Sequence, residues 1–234
     1  MKGKKVLIID DDAFVLDVVD HAFSSAGVIV ITAQSGQERL RKLYAQHPDL
    51  VILDIMMPEL DGWDVCRQIR LLSDVPIIMV TALNQESDIL RGLDNGADDF
   101  ISKPFSPAVL LSRSRAVLRR LAAHSQHRGT EYQDDYLVVD LNQRKVLVEG
   151  NSIKLTPTEF KLLEYLISHL GRVLTFRKIL ENVWGWEYQD SVEYVHVYIA
   201  HLRRKIEVDP RSPNYILSEH GVGYRFERRT VLPK

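Results

Sequence analysis

Val51-Ile52-Leu53-Asp54-Ile55-Met56-Met57-Pro58-Glu59-Leu60-Asp61-Gly62 is the stretch that decides the fold. Behind Pro48-Asp49, an unbroken apolar run leads up to one carboxylate, Asp54. A run of that kind, bounded by turn residues, is a strand buried on both faces, the habit of parallel sheets. Pro58 and Gly62 then interrupt the regular pattern. Ligands of open α/β sheets bind at the carboxyl ends of the strands, so Asp54 is placed as a candidate nucleophile or metal ligand.

Working outward, residues 5–10 read as a second buried strand ending in Asp10-Asp11-Asp12. Ala13 to Ser25 follows as a helix, with Phe14, Val15, Val18, Val19, Ala22 and Phe23 expected on one inward face. Val28–Thr32, Val75–Thr81 and Asp99–Ser102 read as further strands. Helices are expected over Gly36–Gln46, from Asp61 as N-cap through Leu72, over Ser87–Asn95, and from Ser106 to about Ala123. This alternation predicts a five-stranded, parallel, doubly wound α/β domain over residues 1–123.

From His124 to Asp135 the chain is polar and aperiodic and reads as a linker. Residues 136–229 then predict an α+β domain with short strands first. Thr156-Pro157-Thr158-Glu159 signals a helix start, with Thr at the cap, Pro at the first position and Glu three residues on. A short helix at Phe176–Val183 and a longer one at Val192–Ile206 follow, the latter with Val195, Ile199, Leu202 and Ile206 inward. A hairpin around Gly221-Val222-Gly223 ends the domain. Small sheet, three helices and terminal hairpin is the order of a winged helix-turn-helix.

Size and composition agree with this division. A chain of 234 residues, 45% hydrophobic and 26% charged, is that of a globular protein with two ordinary domains. Its apolar runs fall far short of a bilayer span, and the run after Met1–Lys5 is too short for a signal peptide. One cysteine, Cys66, excludes an internal disulfide, suits a reducing cytoplasm and reads as a small core residue. Residues 1–121 carry 14 Lys+Arg against 17 Asp+Glu, and the remainder 16 against 15. That mild asymmetry identifies no partner. A Gly-x4-Gly-Lys-Ser/Thr phosphate loop is absent from the sequence.

Four features converge on the strand ends of the first domain: Asp10-Asp11-Asp12, Asp54, Thr81 and Lys103-Pro104. Mg²⁺ wants oxygen ligands, and clustered carboxylates supply them. With the acids neutralised, Asp54 can attack a phosphoryl group. Lys103 then serves as a point charge and Thr81 as a hydroxyl donor to the phosphoryl oxygens. Taken singly, each feature has a plain structural reading, and Asp12 is better read as a helix N-cap.

Ile9-Asp10-Asp11-Asp12, Leu53-Asp54 with Met57–Gly62, Val80-Thr81-Ala82 and Gly96–Phe105 resemble a two-component response regulator receiver domain. Leu155–Leu163 through Gly221–Phe226 resembles the winged-helix effector of the OmpR/PhoB subfamily. The resemblance implies that Asp54 accepts phosphate from a sensor histidine kinase. Mg²⁺ would be held by Asp11, Asp54 and the Met56 carbonyl, with Asp10 acting through water. It further implies that Thr81 and Phe100 form a switch pair, and that Lys103-Pro104 is a cis peptide. Arg91, Asp98, Asp99 and Arg113 match the ion-pairing face through which relatives form homodimers on phosphorylation, whereas Val109 departs from that pattern.

In the second half, the last turn of Val192–Ile206 is basic, and Arg225, Arg228 and Arg229 follow in and after the hairpin. Basic residues on a helix tip and a wing are the geometry for phosphate contacts beside a major groove. Tyr198, His201, Arg203 and Arg204 lie opposite the inward set and are expected to face promoter DNA, with Arg225 on the wing. Glu193, His201 and His220 depart from the family pattern. The loop Trp184–Tyr188 is read by analogy as a contact for RNA polymerase, with packing as an equal reading of Trp184. The histidine pairs His124/His127 and His196/His201 lack the accompanying ligands of a metal site.

The resulting expectation is a cytoplasmic, phosphorylation-switched transcription factor that is neither an enzyme nor a membrane protein. Its main rival is an aspartate-nucleophile phosphohydrolase. Such an enzyme would show a second acid two residues after the nucleophile, where this chain has Met56.

Overall fold

The computed structural model of the chain describes residues 1–34, 36–57, 60–82, 86–122 and 131–229. Pro58, Glu59, His124, His127 and most of the expected linker lie outside the described residues. Two compact units divide between Leu121 and Ala122.

In the first unit the elements are β1 (Lys5–Ile9), α1 (Ala13–Ser25), β2 (Ile29–Ala33), α2 (Gly36–Gln46), β3 (Leu50–Asp54), β4 (Met56–Met57), β5 (Leu60–Asp61), α3 (Gly62–Leu72), β6 (Ile77–Thr81), α4 (Glu86–Asp94), β7 (Asp99–Ser102) and α5 (Pro107–Ala122). Five of the strands form one sheet in the order β2-β1-β3-β6-β7, all neighbours parallel. The apolar run of β3 is buried throughout. Val51 and Leu53 join one core with Trp63, Val65 and Cys66, while Leu50 and Ile52 join the other with Leu16, Val19 and Phe23. Helices on both faces therefore require the continuous hydrophobic run, and every parallel strand ends at the same edge.

Two local readings are corrected. The inward stripe of α1 is Leu16, Val19 and Phe23, whereas Phe14 is 74% exposed and Val18 is also exposed. The expected apolar face contained Val19 and Phe23 of this stripe but missed Leu16, and it included Phe14 and Val18, which face outward. Phe14 and Val18 instead line an apolar groove of about 470 Å³ with Pro104 and Phe105. Directly after Asp54, β4 and β5 pair as a small antiparallel ribbon, Met56 opposite Asp61. Two-residue strands carry too little periodicity to be read from sequence.

The second unit comprises β8 (Glu131–Gln133), β9 (Leu137–Asp140), β10 (Lys145–Val148), β11 (Asn151–Ile153), α6 (Pro157–Ile167), β12 (Leu174–Thr175), α7 (Phe176–Val183), a 3-10 turn (Trp186–Tyr188), α8 (Val192–Ile206), β13 (Ile216–Glu219) and β14 (Gly223–Phe226). An antiparallel sheet β11-β10-β9-β8 precedes the helices, and β12-β14-β13 forms the terminal sheet. Residues 131–133, expected in the linker, are thus a strand paired to β9. Three residues are too few for alternation to show, but Tyr132 is buried and Asp134 organises the turn behind it. That carboxylate accepts from the backbone N–H groups of Tyr136 and Leu137 and from the phenols of Tyr132 (2.7 Å) and Tyr215 (3.0 Å).

Thr156 and Glu159 close a complete capping box at the start of α6, an arrangement whose loss typically costs about 1 kcal/mol. Gly223 is required where β14 crosses β12: a Cβ there would lie 1.9 Å from the Leu174 carbonyl oxygen.

Candidate functional site

At the carboxyl edge of the parallel sheet, β1 delivers Asp10, β3 delivers Asp54, β6 delivers Thr81, and the segment after β7 delivers Lys103. The Lys103 ammonium lies 2.9 Å from both Asp10 Oδ2 and Asp54 Oδ2. Both carboxylates are buried, whereas Asp11 is exposed. Oxygens of Asp10, Asp11 and Asp54 all lie within 4.8 Å of one another. The Lys103–Pro104 peptide is cis, and Lys103 N–H donates to the Thr81 carbonyl at 2.6 Å. That bond joins the ends of β6 and β7 beside the pocket.

Burial pushes the Asp10 carboxyl above the ordinary carboxylate range, because the Asp12 N–H and Lys103 only partly offset the loss of water. Burial also opposes the charge on Lys103, but its bonds to Asp54 and Asp10 outweigh that penalty and raise its pKa. The pocket therefore holds a firm ammonium between crowded acids. Three hard oxygen donors of this kind, one on the open side, suit a divalent cation.

The stretch that follows Asp54 is built around it. Asp54 Oδ1 accepts the Met56 N–H at 3.2 Å. Gly62 N–H donates to the Ile55 carbonyl, and a Cβ on Gly62 would lie 2.4 Å from Ile55 Cα and 2.6 Å from the Asp54 carbonyl oxygen. Asp61 caps α3 by accepting from Trp63 N–H at 2.9 Å. Thr81 is fully buried, and Phe100 is turned inward. A Cβ on Gly92 would meet the Phe100 ring, Met79 and Trp63 at 3.1–3.2 Å, so these groups share one tight packing site under α4.

The expected pairing face is corrected in part. Asp98 is 1% exposed and accepts from Arg70 at 2.6 Å and from the Ile77 N–H at 3.0 Å. Asp99 is fully buried and pairs with Arg113 at 3.0 Å. Both acids thus serve the fold of their own chain. Arg70 is the partner that sequence reading missed, because α3 and β7 are distant in the chain. Arg91 is exposed, stacks 4.9 Å over Trp63 and lies 3.6 Å from Asp61. Val109 is exposed on α5.

Four of the five expected DNA-facing residues are also reassigned. Tyr198 is 2% exposed and packs edge-on to Trp184, while His201 is 8% exposed and lies 3.7 Å from buried Glu159. Arg203 donates through Nε and Nη2 to the Ile216 carbonyl at 3.0 and 2.6 Å and stacks over Tyr224. Arg225 is held between Glu219 (3.0 Å) and Glu227 (3.2 Å). The physical reason is that α8 packs against α6, α7 and the terminal hairpin together, so its buried face is wider than one helical stripe. Exposed positions on α8 recur every four residues, at His196, Ala200 and Arg204. Arg204 alone of the five keeps an exposed side chain on that ridge. In the loop before α8, Trp184 is buried while Trp186 is exposed.

Comparison with known proteins agrees with the two units. Residues 6–115 match the response regulator receiver domain, and residues 150–226 match the transcriptional regulatory protein C-terminal domain. The chain is 46% identical over 233 residues to "Probable transcriptional regulator ycf27" of Guillardia theta, covering 97% of this chain and 92% of that protein. It is 39% identical to the alkaline phosphatase synthesis transcriptional regulatory protein PhoP of Bacillus subtilis (strain 168), covering 96% and 97%. Among solved structures, response regulator DrrB, a Thermotoga maritima OmpR/PhoB homologue, aligns with TM-score 0.51 and 32% identity over 97% of this chain and all of that one. Among the described residues no helix is long and apolar enough to cross a membrane. With a receiver sheet, a winged-helix unit and near full-length matches to transcriptional regulators, the chain belongs to the OmpR/PhoB family of DNA-binding response regulators.

Proposed function

We propose that Asp54 is the phosphoacceptor of this regulator, and that its modification by a sensor histidine kinase promotes dimerisation and binding to promoter DNA. One observation carries the reading: a single ammonium, Lys103, within 2.9 Å of both Asp54 and Asp10 at the edge of a parallel sheet. Asp54 Oδ attacks the phosphorus of a phosphohistidine, the phosphorus–nitrogen bond breaks, and the imidazole leaves with its electron pair. Lys103 then shifts from shared carboxylates to the new phosphoryl oxygens.

Asp10, Asp11, Asp54 and the Met56 carbonyl would hold Mg²⁺, which supplies charge neutralisation during transfer. The acyl phosphate adds about 1.5 to 2 negative charges beside Thr81. Movement of the Thr81 hydroxyl toward it opens space at the packing site of Phe100, and this pair transmits the change to α4. Arg91 and Arg113 are the surface cations for pairing of two receivers, Arg204 supplies a phosphate contact on DNA, and exposed Trp186 offers a surface for RNA polymerase. The setting is the cytoplasm.

Incubation with a small-molecule phosphodonor and Mg²⁺, read by intact mass, tests the nucleophile. Wild type gains one phosphoryl group and Asp54→Ala gains none. Equal labelling of both sinks the assignment.

A further inference from the structure

We propose that His196 is a base-reading residue of the recognition helix, and that Tyr224 of the wing orients it to prefer guanine. His196 is exposed on the second turn of α8, at the head of the ridge it forms with Ala200 and Arg204. The N-terminal part of a recognition helix is the part that reaches base edges. Its ring is fixed from two sides. Nδ1 lies 2.9 Å from the Tyr224 hydroxyl, and the Phe176 ring meets it edge-on at 5.1 Å. His196 and Tyr224 border a depression of about 220 Å³ between α8 and the wing, with Ala200 and Arg204 also lining it. Most exposed side chains must be ordered when they bind, whereas this imidazole is already held.

Its chemistry follows from the partner. A phenol is a far better donor than acceptor, so Tyr224 O–H donates to Nδ1 and the ring proton resides on Nε2. Among the described residues Nε2 has no partner. An outward N–H in the major groove fits the adjacent N7 and O6 acceptors of guanine. Adenine replaces O6 with an amino donor and opposes it. Ala200, one turn on, leaves room for the base edge.

The proposal rests on the DNA-binding assignment, whose own failure would appear as no sequence selected by wild type. The full-length protein is used to select duplexes from a random pool, in parallel with His196→Ala and Tyr224→Phe. Wild type selects guanine at one position per half-site, His196→Ala accepts any base there and is unchanged elsewhere, and Tyr224→Phe relaxes the same position. Replacing that guanine by 7-deazaguanine weakens wild-type binding about fivefold and leaves His196→Ala unaffected. The modified duplex needs no variant to fold for wild type to respond. Identical selection by His196→Ala overturns the proposal. So does a uniform loss of affinity with a salt slope lower by about 1, the mark of a phosphate contact. Unchanged selection by Tyr224→Phe overturns it as well.

Discussion

Arg203 ties the last turn of α8 to strand β13, its guanidinium donating twice to the carbonyl of Ile216. A basic residue at the tip of a recognition helix invites assignment to the DNA backbone, and here its donors point into the protein. Arg203→Ala should therefore destabilise the winged-helix unit by about 1–3 kcal/mol, since it strands a carbonyl and removes the stack on Tyr224. Urea unfolding of the full chain measures this. A salt slope that drops by about 1 with unchanged stability would return Arg203 to the phosphate contacts.

Gly62 should be irreplaceable for a reason of space. Its Cβ position overlaps the Ile55 backbone and the Asp54 carbonyl, groups that no rotamer change can move. Gly62→Ala should cost stability and slow phosphoryl transfer to Asp54 at least tenfold by misplacing the nucleophile, in line with roughly 100-fold losses for misplacements of about 1 Å. Wild-type transfer rates with a small phosphodonor would refute this.

Lys103→Ala should separate cation binding from phosphoryl transfer. The ammonium competes with any cation for Asp10 and Asp54, so its loss leaves two adjacent carboxylates less neutralised. Mg²⁺ affinity, followed by Trp fluorescence, should rise several-fold while transfer to Asp54 falls. Weaker Mg²⁺ binding would show that Lys103 organises the acids instead of competing for them.

Asp134 gives the second unit an acid limit. Burial alone would raise its pKa, but the N–H groups of Leu137 and Tyr136 and the phenols of Tyr132 and Tyr215 outweigh it and hold the carboxyl below its usual 3.8. A depressed folded-state value means stabilisation that is present above 3.8 and lost as pH falls through the folded value. Asp134→Asn should lower the melting temperature near neutral pH, and the gap to wild type should narrow below about pH 4. A gap independent of pH would remove the charge from the account.

Cys66 should be inert in the native state. It is fully buried, and burial pushes its thiol up to about 12, so almost no thiolate exists near neutral pH. A chromogenic disulfide reagent should react with one thiol per chain only in denaturant. Rapid native labelling would mean that α3 opens readily.

How much of this was legible follows from the range of each interaction. The fold of the first unit, and the meeting of Asp10, Asp54, Thr81 and Lys103 at one edge, follow from buried strands whose ends carry the chemistry. The capping box at Thr156 was legible because it is local. Arg70 with Asp98, and Glu159 with His201 and Lys205 (2.7 Å), join distant elements and leave no periodic trace. For α8, the inward set was right, but of the outward set only Arg204 lies on the exposed ridge. A helix gripped from several sides has a narrow exposed ridge, and nothing in its own fifteen residues reports how many neighbours it has.

Strand β8 gives the Asp134 clamp a mechanical meaning. Among the described residues, the chain of the second unit takes up its first strand at Glu131–Gln133. One residue later it meets a carboxylate bonded to Tyr215, the residue immediately before β13. Asp134 thereby ties β8 to the root of the wing, alongside the pairing of β8 with β9. A fragment cut to begin at residue 136 would lose that tether altogether.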